Sequence, residues 1–174
     1  MVVGLAAAVL LAAAAPPSPG FAAFEQACIA TDVDRDKVAA SAPAAGFTAD
    51  QSKPDSYTGP AGKLTLFTAS QKDVKDLGNI SLTVCQTTIP VFAQADMDAV
   101  WRWMGHTGGK TDGPIGSFVI IESGQTPHEM AFNRPDKAQT ALRTGRLRLV
   151  SAQKVGDGLR LMYGVAAPDQ KGSK

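Results

Sequence analysis

The sequence predicts an α+β domain: an antiparallel sheet of about five strands, two or three helices packed on it, and one disulfide. Three observations carry this. Residues 79–89 alternate Ile80, Leu82 and Val84 with Ser81, Thr83 and Cys85, the period of two that a β-strand requires. Residues 24–31 and 96–104 instead repeat their apolar side chains at helical spacing. The chain has only 2 cysteines, Cys28 in the first of those helices and Cys85 on the strand, so a single covalent bond can join the two.

Residues 1–22 have the layout of a secretory signal peptide. An Ala-rich apolar run is followed by Pro16, Pro17 and Pro19 and then by the small residues Gly20 and Ala22, with cleavage expected after Ala22. The apolar run, about 15 residues, is shorter than the roughly 20 that cross a bilayer, so no integral membrane span is expected after cleavage. No Lys or Arg precedes the run, a departure from the usual basic start. The alternative, a buried Ala-rich helix, conflicts with three prolines that would end it abruptly.

Export places the protein in the periplasm or outside the cell, where two cysteines form a disulfide more readily than a metal or redox site. A Cys28–Cys85 bond would stabilise the fold by at most about 4 kcal/mol on chain-entropy grounds. Cys85 shares a face with Ser81 and Thr83, opposite Ile80, Leu82 and Val84. Unless a bulge intervenes, the helix bearing Cys28 must therefore reach the second face of the sheet or the end of the strand.

The single domain is expected over residues 23–167. Phe24, Ala27, Cys28 and Thr31 line one side of its first helix, and Asp34 or Asp36 caps a short second one ended by Pro43 and Gly46. The run from Asp32 to Asp36 lacks the Gly and Glu of a calcium loop. Residues 51–62 are loop by composition, and a short strand at 64–68 pairs with the 79–89 strand. Met97, Val100, Trp101 and Met104 form the stripe of the clearest helix. Residues 118–121 form a strand covered on both faces, and residues 135–144 a short helix started by Pro135 and stopped by Gly145. The last structured part is a hairpin around Gly156, Asp157 and Gly158. A three-residue loop there pairs Ser151 with Tyr163 and gathers the apolar side chains on one face. Residues 168–174 form a tail.

Three segments together carry a resemblance: Phe24-x-x-x-Cys28-Ile29-Ala30-Thr31, the Ala-rich helix ending at Ala45-Gly46-Phe47, and the strand Leu82-Thr83-Val84-Cys85. They resemble small exported proteins of unknown function from Gram-negative bacteria. The resemblance covers about the first half of the chain and brings no activity or catalytic residue.

Catalytic signatures are sparse. His106 and His128 are the only histidines, and His128-Glu129-Met130-Ala131-Phe132 lacks the second histidine of a zinc protease. Ser151-x-x-Lys154 matches a serine-hydrolase spacing that works on a helix, but this segment reads as a strand, where residues three apart point to opposite faces. No cofactor or metal site is expected. From Arg134 to the C-terminus there are nine Lys or Arg against three Asp, in a chain of net charge +1. The hairpin register above gathers Arg146, Arg148, Lys154 and Arg160 on one face. They form the expected binding patch for an acidic protein or an anionic envelope ligand, with Trp103 as a further candidate. No aromatics interleave with these cations, which argues against nucleic acid. The expected function is non-catalytic binding. The alternative is a small periplasmic hydrolase using His106 or His128.

Overall fold

The alternating strand of residues 79–89 has a neighbour on each side, continuous on one and with a register shift between Gln71 and Val74 on the other. In this computed structural model, which describes residues 16–106, 113–121, 127–129 and 135–169, β4 (Gly78–Ile89) lies near the middle of one antiparallel sheet. The other strands are β1 (Thr48–Ala49), β2 (Ser56–Gly59), β3 (Gly62–Val74), β5 (Ile115–Ile120), β6 (His128–Glu129), β7 (Leu147–Val155) and β8 (Gly158–Pro168). Their spatial order is β1-β2-β3-β4-β8-β7-β5-β6. Four helices accompany them: α1 (Pro19–Phe24), running on as a π-helical turn over Glu25–Ile29, then α2 (Arg35–Ser41), α3 (Gln94–Trp103) and α4 (Pro135–Arg143).

The α+β class and the disulfide hold, but among the described residues the counts change to eight strands and four helices. The extra strands have a physical explanation. β1 and β6 are two residues each, too short for any periodicity. β2 occupies a stretch rich in Pro, Gly and Ser and becomes a strand by pairing with the start of β3. That is tertiary context overriding local propensity.

The sheet is covered on both faces, at opposite ends. Strict alternation along β4 sends Ile80, Leu82 and Val84 to one face, where they join Leu147, Phe118, Ile120 and the α4 residues Ala138, Ala141 and Leu142. Cys85 and Ile89 point to the other face. There they meet Leu64, Leu66, Leu159, Leu161 and Tyr163 beneath the layer made by α1, the π-turn, α2 and α3. No bulge interrupts β4 between Ile80 and Ile89 in its pairing with β8. The helix bearing Cys28 does reach the second face, and the Cys28–Cys85 bond closes there with a Cα–Cα distance of 5.6 Å.

Local signals explain the helix ends. Asp34 caps α2 by accepting from the Lys37 amide at 3.0 Å. α4 stops in a Schellman turn: Arg146 N–H donates to the Ala141 carbonyl, Gly145 N–H donates to that of Leu142, and Gly145 takes a φ of +66°. Of the expected stripe, Met97 and Val100 in α3 and Met104 at its C-cap are buried, whereas Trp101 is half-buried. Asp98 accepts from Gln94.

The hairpin register differs from expectation. β7 and β8 are joined by two residues, Gly156 and Asp157, with Val155 opposite Gly158 and Val150 opposite Tyr163. Gly156 has a φ of +58°, as the first position of a tight type II′ turn requires. A three-residue loop would segregate polar from apolar side chains. With both faces of the sheet covered, that segregation is not needed, and the tighter turn wins.

Candidate functional site

The two-residue turn separates the four cations expected to form one patch. Arg148 and Lys154 lie on the face shared with the α1–α3 layer. They are six residues apart along β7, roughly 20 Å at the usual strand rise. Arg160 is opposite Gln153 and points to the other face, its Nε buried without a hydrogen-bond partner among the described residues. Arg146 precedes β7, and its Nε donates to Thr144 Oγ1 at 2.9 Å. Lys154 faces Leu159 rather than Arg160, so the like-charge pair implied by the longer loop does not form. These four cations therefore do not share one face.

Arg148 is 6% exposed and serves as a clasp. Its Nε and Nη2 donate to the two Asp32 carboxylate oxygens at 2.7 and 2.6 Å. Its Nη1 donates to the carbonyls of Gly145 and Leu147. Tyr163 donates its hydroxyl to Asp32 Oδ1 at 2.9 Å. Burial alone would raise the Asp32 pKa, but the hydrogen bonds and charge of Arg148, with the Tyr163 hydroxyl, hold it below the usual carboxylate range. Arg148 is driven the other way. Desolvation opposes its charge, but Asp32 more than offsets that and its pKa rises. Tyr163 is pushed well above the ordinary phenol range, first by burial and then by the Asp32 charge. Asp32 and Val33 both have positive φ, +53° and +58°, an uncommon backbone conformation for which a β-branched residue is an outlier. The clasp thus fixes a strained turn onto the sheet. Nothing in the sequence pairs Asp32 with a residue 116 positions away.

Trp103 packs edge-on against Tyr163, ring centroids 5.7 Å apart, and so lids the clasp instead of standing clear as a ligand platform. His106 stacks flat on Trp101 at 3.6 Å, with its Nε2 3.5 Å from Glu129 Oε2. Neither a hydroxyl nor a thiol is among these contacts. His128 lies in β6 opposite Ile120. Ser151 and Lys154 both belong to β7, which removes the helical geometry that their spacing would need. Among the described residues no three His, Cys, Asp or Glu gather as a metal site would require. No described helix is long and apolar enough to cross a membrane.

A concavity lies at the hairpin end of the sheet. A cleft of about 240 Å³ opens between the start of α3, the approach to β5 and the end of β7, lined by Phe92, Gln94, Met97, Pro114, Gln153 and Lys154, with Gly113 at its edge. It is smaller than the roughly 300–1,000 Å³ of drug-sized sites. The Lys154 ammonium stands 5.0 Å from the centroid of the Phe92 ring, within cation–π range. The Phe92 amide donates to the Asp157 carbonyl at 2.7 Å, which fixes the 89–92 segment to the hairpin turn. Next in sequence to the lining residues Phe92 and Lys154 are the two large hydrophobic side chains that stand exposed among the described residues, Val91 at 71% and Val155 at 40%. Of the expected site residues only Lys154 belongs here. The signal for the rest was Val91-Phe92, an apolar pair after Pro90 in a connection that has no need of one. No family model, curated protein or solved structure matches this chain.

Proposed function

We propose that this is an exported, non-catalytic binding protein that takes a small amphipathic anion at the hairpin end. The observation that carries the reading is the coincidence, at one place, of a mainly apolar cleft and a cation held over the ring of Phe92, which lines it. A small aromatic ring system or short acyl chain suits the cleft, and Lys154 supplies the counter-charge to a carboxylate or sulfonate at its mouth. Export is supported by the apolar, Ala-rich start of the sequence and by the disulfide. The hydrolase alternative would need a histidine beside a nucleophile; among the described residues the contacts of His106 are an indole ring and a carboxylate, and the side chain of His128 lies outside the described residues.

The test uses 1-anilinonaphthalene-8-sulfonate, an aromatic sulfonate whose fluorescence rises in apolar surroundings. The wild-type protein should bind it saturably at one site, and Lys154→Glu should weaken it about tenfold, the effect of roughly 1.4 kcal/mol. Binding unchanged in Lys154→Glu and in Phe92→Ser would sink the proposal.

A further inference from the structure

Cleavage after Ala22 would cut the folded domain. The bond between Ala22 and Ala23 lies inside α1, and the residues upstream of it are part of the core. Phe21 is buried and packs on Phe24 with ring centroids 6.2 Å apart. Gly20 lies so close to Ile89 that a Cβ there would come within 2.9 Å of its Cγ2.

Ser18 does more. Its backbone N–H donates to Asp96 Oδ1 at 2.6 Å and its hydroxyl donates to Oδ2 at 2.7 Å. The same hydroxyl oxygen accepts from the Phe21 amide at 3.2 Å and so caps α1. Asp96 is 0% exposed, in the first turn of α3, where the helix dipole favours its charge. One serine thus caps one helix and satisfies both oxygens of a buried carboxylate on another. Losing residues 1–22 would leave that carboxylate in the core without either partner, a costly arrangement for a buried charge.

We infer that the leader is removed upstream of Ser18, within the alanine run 12–15, so that Pro16 to Ala22 stay with the mature protein. This rests on the export reading above. Cleavage after Ala14 puts small residues, Ala12 and Ala14, at the two positions that a signal peptidase reads. The enzyme adds water across one alanyl peptide bond, leaving a carboxylate on the leader and an α-amine on the mature chain.

The experiment expresses the full chain with a C-terminal tag in a Gram-negative host. Intact mass and N-terminal sequencing are then applied to the envelope fraction. The expected N-terminus is Ala15, and any start at or before Ser18 keeps the serine. An N-terminus at residues 19–23 overturns the inference while leaving export intact. Uncleaved chain confined to the cytoplasm overturns export itself and the inference with it. A Ser18→Ala variant of the same full chain checks the structural premise. Its exported product should melt about 5 °C lower than wild type, and an unchanged melting temperature would remove the reason for retaining Ser18.

Discussion

Replacing Asp32 by Ala should destabilise the protein more than replacing Arg148 by Met, although the two residues share the same bonds. Asp32→Ala leaves a guanidinium that is 6% exposed without its carboxylate, and breaking a buried ion pair this way costs about 3–5 kcal/mol. The Asp32 side chain is itself 50% exposed, so water recovers part of the loss, and the lower end, about 3 kcal/mol, is expected. Arg148→Met instead leaves a carboxylate that water can reach and that still accepts from Tyr163. Its cost, mainly the two abandoned carbonyls of Gly145 and Leu147, is about 2 kcal/mol. The double variant should cost less than the sum of the singles by about 1–3 kcal/mol. The pH dependence has a definite sign. Because the folded pKa of Asp32 is depressed, its contribution is present above the unfolded value of about 4 and is lost as pH falls through the folded one. Urea unfolding of the four proteins near neutral pH and down to acid pH measures all of this. A loss under about 1 kcal/mol for Asp32→Ala, or strict additivity in the double variant, would refute the clasp.

Two further outcomes follow from the same contacts. The unreduced, unfolded mature protein should contain no titratable thiol, and Cys28→Ser with Cys85→Ser should lower stability by up to about 4 kcal/mol; two free thiols in the wild-type protein would contradict the bond. The chain has only 2 tyrosines, and burial raises both Tyr57 and Tyr163. Tyrosinate absorbance of the folded protein should therefore appear only above the ordinary midpoint of about 10. A normal titration of both rings would mean that Tyr163 does not lie buried against Asp32.

What the sequence made legible were the elements whose burial repeats at a fixed period. The stripe of Met97, Val100 and Met104, the α4 residues Ala138, Ala141 and Leu142, and the β4 alternation are all of this kind. So was the awkward placement of Cys85 on the polar-looking face of its strand. That clue pointed correctly to helices on the second face, and a second covered face is what releases the β7–β8 hairpin from one-sided patterning. The same assumption of one solvated face produced the expected patch of Arg146, Arg148, Lys154 and Arg160, which the observed register divides. Arg148 looked like a surface cation because its partner, Asp32, belongs to a turn with no periodic signature. β1, β2 and β6 were invisible because a few residues of strand are made by their neighbours and not by their own sequence.

The claim that this protein binds an amphipathic anion at the hairpin end is tested most directly by mapping the contact. Backbone amide NMR signals should be followed while 1-anilinonaphthalene-8-sulfonate is added to the uniformly labelled mature protein. The account predicts that shifts concentrate at Phe92, Gln94, Met97, Gly113, Gln153 and Lys154, with the α4 face unmoved. Shifts centred on Arg146 and Arg160, or spread evenly over the sheet, would contradict it.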